Sequence, residues 1–432
     1  MRKILLFIFL LVLSVNAKAQ PLYFPPLSGP TWDTVSPATL GWCQSEIDSL
    51  LDYLGDRSTK AFLVLKDGKI VIEQYYGTFT SDSSWYWASA GKSLTAVLTG
   101  IAQQEGYLSI NDTSSKYLGA GWTSAPAIKE DLITVRNQLT MTSGLDDNFT
   151  DPDCTDDTCL QYLTDAGTRW AYHNAPYTLL DGVIESATGV ALNNYFLQKL
   201  TFTTGMTGLY LQLGYNNVFF SKPRSMARFG LMMLNNGNWN GQQILNTTYL
   251  NQMINTSQSL NESYGYLWWL NGKASFMLPG IQFAFSGSLA PSAPADMYSA
   301  MGKNGQILNV VPSMNLIMIR LGDPPAGLSV FVPNLFNDTI WQKFNDVLCN
   351  VSSVNESEIK PSIYPNPASD QLLIDLRGEF YDVTIRNLQG ICMQKQFGIT
   401  GISRINLNLT TGVYIAEVKL RNRVYYHKFI VN

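Results

Sequence analysis

Residues 85–98 read Trp85-Tyr86-Trp87-Ala88-Ser89-Ala90-Gly91-Lys92-Ser93-Leu94-Thr95-Ala96-Val97-Leu98. An aromatic, strand-like start runs into a helix that carries Leu94, Val97, Leu98 and Ile101 on one face. Ser89 and Lys92 stand three apart at the helix start, which puts the amine beside the hydroxyl. A serine hydroxyl is a weak nucleophile until a base takes its proton, and a lysine serves as that base when burial and the positive helix terminus lower its pKa. The Ser89 backbone N–H offers one oxyanion-hole donor. The plainer reading is a helix cap with Lys92 in water. Ser-x-x-Lys also recurs at Ser357-Glu-Ile-Lys360, in a polar segment, so the surroundings must decide.

Upstream, residues 45–55 show helical spacing with a closing glycine. Ala61-Phe-Leu-Val-Leu65 and Lys69-Ile-Val-Ile-Glu73 then read as strands joined by a turn at Asp67-Gly68. Downstream, helical patterns dominate from about 89 to 255, with a helix from Pro176 to Thr188. Strands return at Tyr298–Met301, Ile307–Val311 and Leu316–Arg320, and a helix from Leu335 to Leu348 closes the segment. One sheet is thus built from both ends of an α+β segment with a helical lobe between them. From 361, short alternating strands such as Gln371–Leu376 and Val413–Val418 predict a separate small β-sandwich.

The domain reading is a signal peptide at 1–19, a main domain at 20–350, a polar linker at 351–360 and the β module at 361–432. The signal rests on Arg2-Lys3, an apolar run from Ile4 to Val15 and Ala17-Lys18-Ala19. That run is shorter than the ~20 residues that span a bilayer, which disfavours an anchor. Five cysteines suit an oxidising compartment. Cys154 and Cys159 share one acidic loop that lacks the glycine and closing glutamate of an EF-hand. Cys43 and Cys349 bracket the main domain and pair only if its first and last helices are neighbours; Cys392 is left over.

Composition narrows the chemistry. Of 432 residues, 46% are hydrophobic and 14% charged, with a net charge of −4, which argues against disorder and against a nucleic-acid partner. The tail from 361 carries eight basic and five acidic residues. Only two histidines are present, His173 and His427, so a Ser-His-Asp triad has two candidates and a zinc site would lack its usual ligands.

A second chemical cluster is Tyr172-His173-Asn174, on a loop before a helix in the helical lobe. Tyrosine and asparagine two apart point the same way into a cleft, with His173 turned away. Tyr215-Asn-Asn217 and Tyr249-Leu-Asn251 repeat the triplet, and Tyr215 and Tyr249 read as surface or packing residues. Tyr264, Tyr266, Trp268 and Trp269 either line a cleft or fill the core.

Taken together, residues 40–350 resemble the serine β-lactamase and penicillin-binding superfamily in its class C-like branch, which includes esterases and 6-aminohexanoate-dimer hydrolases. The resemblance rests on several boxes in order: Ser89-Ala-Gly-Lys92, Ile133-Thr-Val-Arg136 with Leu139-Thr-Met-Thr-Ser-Gly-Leu145, and Tyr172-His-Asn174. Met226-Ala-Arg-Phe-Gly230 with Gly237-Asn-Trp-Asn-Gly241, and Tyr264-Gly-Tyr-Leu-Trp-Trp269, continue it. It implies Ser89 as nucleophile, Lys92 as general base, Tyr172 as proton shuttle, and Asn174 as the group that binds the substrate carbonyl and holds Lys92. No metal or organic cofactor is implied.

The third box, usually Lys-Thr-Gly or His-x-Gly, has two registers here: Lys303-Asn304-Gly305 or Ala300-Met301-Gly302. The second is preferred, because Asn304-Gly305 is itself a turn signal. Lys303 N–H then becomes the second oxyanion donor, and Ala300 replaces the cation that would bind a substrate carboxylate. Esters and small amides become the expected substrates, with a true β-lactamase or peptidoglycan D,D-peptidase as the alternative. A non-catalytic surface binding protein on the same scaffold is a further alternative. The tail, through Tyr364-Pro-Asn-Pro-Ala-Ser-Asp370, Thr411-Gly-Val-Tyr414 and Lys428-Phe-Ile-Val431, resembles a type IX secretion C-terminal sorting domain. That implies the secretion machinery as a partner and passage through the periplasm to the cell surface or medium.

Overall fold

A computed structural model describes residues 22–148, 151–325, 332–349, 361–387, 390–420 and 424–432. The expected signal segment 1–19 and linker 351–360 lie outside the described residues. The chain divides after Cys349 into two compact units.

In the first unit, α1 (Gln44–Asp56) leads into a hairpin of β1 (Thr59–Lys66) and β2 (Lys69–Tyr75). Asp67 and Gly68 turn it, with φ of +52° and +82°, the double left-handed geometry of a tight hairpin. α2 (Gly91–Gln104), α3 (Leu180–Thr188), β3 (Gly208–Leu213), β4 (Asn216–Ser221) and α4 (Pro223–Leu234) follow. β5 (Trp269–Leu270), β6 (Tyr298–Gly302), β7 (Gln306–Val311), β8 (Leu316–Gly322) and α5 (Asn334–Val347) complete the unit. The antiparallel sheet has the order β2-β1-β8-β7-β6-β5, so the first strand pairs with the last, Thr59 opposite Gly322 and Lys66 opposite Leu316.

Alternation along β1 sends Phe62 and Val64 to one face, where α1 and α5 cover them with Leu50, Leu54, Trp341 and Phe344. Leu63 and Leu65 face the opposite core, with α2, α4 and the helical lobe. Every residue of β6, β7 and β8 is buried, as a sheet covered on both sides requires. α4 sits close to it because Gly230 has no side chain; a Cβ there would lie 2.8 Å from Leu308 Cδ1 and 2.9 Å from Ile317 Cγ2.

The stretch predicted helical from 89 to 255 contains an antiparallel hairpin, β3 with β4, joined by Trp85 and Tyr86 opposite Ser221 and Phe220. Leu209, Leu211 and Leu213 alternate with the buried Tyr210. That period-two signal is too short to stand out among helical neighbours. The predicted helix from Pro176 to Thr188 is in fact two helical pieces, Asn174–Thr178 and Leu180–Thr188.

The second unit is all β: β9 (Ser362–Tyr364), β10 (Gln371–Asn387), β11 (Cys392–Asn406), β12 (Gly412–Lys419) and β13 (Val424–Val431). Its order is β9-β10-β12-β13, with β11 on the other side of β10. β10 and β11 are far longer than the short strands expected, and register shifts break their pairing. Leu372, Ile374, Val383, Ile385, Ala416, Val418 and Phe429 fill the interior. Disulfides join Cys43 to Cys349 and Cys154 to Cys159, and Cys392 is free and exposed.

Candidate active site

The turn before α2 is set by packing from both sides. Trp87 is fully buried; its Nε1 donates to Ser221 Oγ at 2.8 Å and its N–H to Phe219 O at 2.8 Å. Ala88 holds φ of +48°, a left-handed conformation that costs a non-glycine residue about 1–3 kcal/mol. A short 3-10 turn, Ala88–Ala90, then delivers Ser89 to the N-terminal start of α2. The end of β6 presses on this turn, and a Cβ on Gly302 would lie 2.9 Å from both Ser89 N and Ala90 N. Only glycine allows the strand that close.

Lys92 is 3% exposed, and its Nζ lies 3.1 Å from Ser89 Oγ. Burial lowers its pKa to about 7; Asp153 and Asp181 oppose that shift and Lys303 adds to it. The amine sits 4.0 Å from the Tyr177 ring centre and 5.2 Å from that of Tyr172. Burial pushes the Tyr172 phenol well above the usual range, with Ser89 beside it pulling the other way. At neutral pH the phenol therefore keeps its proton while a large share of the amine is uncharged. Of the two groups on Ser89, the amine is the one able to accept a proton. Trp269 stacks on Tyr172 at 5.6 Å and 21°, and Tyr264 meets its edge at 6.2 Å. Tyr264, Tyr266, Trp268 and Trp269 are all buried, so the aromatic cluster is core that fixes the phenol.

A cavity of about 570 Å³ opens over Ser89, lined among others by Tyr86, Asp153, Tyr172, Asn217 and Lys303. Asn174 also lines it; its Nδ2 donates to Asp153 Oδ1 at 2.7 Å, and its Oδ1 has no hydrogen-bond partner among the described residues. The acidic loop, stapled by Cys154–Cys159, lies across that side of the cavity and draws the amide to itself. Lys303-Asn304-Gly305 forms the turn after β6 and puts Lys303 and Asn304 on the cavity. Ala300 is fully buried within β6, and neither it nor Gly302 is among the lining residues; Gly302 acts from behind, on the Ser89 turn. His173 is 3% exposed and held neutral at pH 7, its pKa lowered to about 4 by burial.

Four residues escaped the sequence reading. Asn217, from the Tyr215-Asn-Asn217 triplet, lines the cavity and donates to Asp181 Oδ2 at 2.9 Å. Asp153 stands in the loop weighed above only for its cysteines and as a calcium loop. Arg320, fully buried, donates to Asn304 O at 2.7 Å and Gly305 O at 3.1 Å and so shapes the turn. An acid and a base inside otherwise apolar runs were the available signals for Asp181 and Arg320.

Residues 47–322 match the family model described as beta-lactamase, and residues 362–432 match the secretion system C-terminal sorting domain. A 6-aminohexanoate-dimer hydrolase of Paenarthrobacter ureafaciens is 24% identical over 285 residues, 55% of this chain and 70% of that one. Among solved structures, a candidate 6-aminohexanoate-dimer hydrolase from Bacillus anthracis superposes with a TM-score of 0.57 at 16% identity, covering 77% of this chain and 91% of that one. A family VIII carboxylesterase gives a TM-score of 0.52 at 14% identity, with coverages of 71% and 99%. These two structural likenesses speak to the fold.

Proposed function

Because the chain belongs to the β-lactamase family, we propose that it is a secreted serine hydrolase acting on an ester or small amide through an acyl-Ser89 intermediate. The observation that carries this reading is the buried Lys92 amine, 3.1 Å from Ser89 Oγ and poised near pKa 7. Uncharged Lys92 takes the hydroxyl proton as Ser89 Oγ bonds to the substrate carbonyl carbon. The carbonyl oxygen, now negative, is met by the N–H groups of Ser89 and Lys303. Tyr172 hands its proton to the leaving alcohol or amine and recovers one from Lys92. Water then attacks the acyl ester along the same proton path in reverse and frees the acid. The sorting domain at 362–432 supports export by the type IX machinery to the cell surface or medium.

Lys303 favours one second reading. Its charge stands at the cavity, close enough to Lys92 to depress its pKa, and so offers a substrate carboxylate the cation that Ala300 lacks. That suits a β-lactamase or D,D-peptidase. Intact-mass analysis after a fluorophosphonate, p-nitrophenyl esters, anilides and nitrocefin tests both readings. An adduct on the native protein, absent from Ser89→Ala, is expected, with ester turnover exceeding nitrocefin turnover. Dominant nitrocefin turnover selects the second reading, and no adduct with any probe leaves a non-catalytic binding protein.

A further inference from the structure

The β3–β4 hairpin turns an apolar face outward. Residues directly opposite in an antiparallel ladder share a face, so Tyr86, Phe220 and Leu209 form one rung. Val218 with Leu211 forms the next, and Asn216 with Leu213 the last. The intervening Tyr210 and Phe219 are buried in the core behind. An antiparallel strand with water on one side ordinarily carries polar residues there. Here Leu209, Leu211 and Leu213 stand 40–53% exposed instead, an apolar patch of the kind that marks a binding surface.

That face is continuous with the cavity over Ser89. Tyr86, Leu213, Val218 and Phe220 line the cavity, and Leu209 and Leu211 extend the same surface across the hairpin. At its inner end the Tyr86 ring lies 6.2 Å from that of Phe220, and Tyr86 Oη accepts from Asn304 Nδ2 at 2.7 Å. The ribbon thus starts beside the turn that carries Lys303. From Phe220 to Asn216 it runs roughly 13 Å at the ordinary strand rise. Tyr172, the proposed proton donor to the leaving group, has its ring against Trp170, Tyr264 and Trp269, none of them on the ribbon. A leaving group that departs past Tyr172 leaves the ribbon to the acyl part of the substrate.

Resting on the acyl-Ser89 reading, we infer that this ribbon binds the acyl chain, so that the preferred substrates are esters of unbranched, medium-length aliphatic acids. Each methylene laid on the leucines leaves water both in the acyl-enzyme and in the transition state before it. A strongly polar acyl group loses its hydration there without a partner in return.

The experiment measures kcat/KM for p-nitrophenyl acetate, butanoate and octanoate, and for ethyl, butyl and octyl acetate, each below its aggregation concentration. From acetate to octanoate, kcat/KM is expected to rise about tenfold or more, and to stay nearly flat as the alcohol lengthens. Leu211→Asn should cut the octanoate-to-acetate ratio several-fold. Val218→Thr, close in shape but polar, should lower the ratio in the same direction and decides the matter if Leu211→Asn fails to fold. A flat or falling acyl series, or a rise confined to the longer alcohols, overturns the inference and leaves the hydrolase reading intact. So does a native dimer that Leu211→Asn dissociates with the ratio unmoved, because a second copy is then the occupant of the face. No turnover of any ester, with no fluorophosphonate label on Ser89, overturns the hydrolase reading and the chain preference with it.

Discussion

Arg320 shows how one buried side chain shapes a site it does not touch. Its guanidinium donates to Thr59 Oγ1, Arg57 O, Asn304 O, Gly305 O and Asp323 O at 2.7–3.1 Å. Burial lowers its pKa to about 10, so it remains charged at neutral pH. Gly305 has φ of +79°, and a Cβ there would lie 2.7 Å from Arg320 Nη1. Arg320→Met strands these carbonyls in the interior, and its expected cost is about 3–5 kcal/mol in urea unfolding. Acylation of Ser89 should fall as well, because the loosened turn carries Lys303. Arg320→Lys, with one compact ammonium in place of a planar fork, should recover only part of the loss. Unchanged stability in Arg320→Met would refute this account.

Among the elements, α2 is the one whose packing the site depends on most directly. It is buried from Gly91 to Ala102, and Gly100 interrupts it where Ala would normally favour a helix by about 1 kcal/mol. The reason lies outside the helix. A Cβ at Gly100 would enter the Tyr249 ring and lie 2.8 Å from Leu245 Cδ1, while Tyr249 O–H donates to Ala96 O at 2.9 Å. Gly100→Ala is therefore expected to destabilise by about 1–3 kcal/mol despite its better propensity, read as a lower melting temperature. A rise would mean the ring moves aside freely. The helix face of Leu94, Val97, Leu98 and Ile101 was legible from spacing alone. The glycine's purpose was not, because its partner, Tyr249, lies about 150 residues away and no local spacing links the two.

At the scale of the molecule, the first unit is closed by its ends. Cys43 precedes α1 and Cys349 follows α5, bonded across a sequence separation of 306, and Cys43 N–H donates to Val347 O at 2.9 Å. Asn309 Nδ2 on β7 donates to Asn337 Oδ1 on α5 at 2.7 Å, with Asn337 Nδ2 returning to Asn309 Oδ1 at 3.0 Å. Replacing both cysteines by serine should lower unfolding free energy by about 2–5 kcal/mol, because the bond restricts a very long loop in the unfolded chain. An unshifted denaturant midpoint would show that the bond contributes nothing. The sequence by itself determined what local periodicity encodes: the Ser89–Lys92 spacing, the Asp67-Gly68 hairpin, the three late strands and the distinct tail. Only the tertiary structure decided that Asn217 reaches the cavity and that Asn174 turns to Asp153. Those choices join residues far apart in the chain, whose meeting is set by long-range packing and by the need of buried polar groups for partners, neither of which leaves a local pattern.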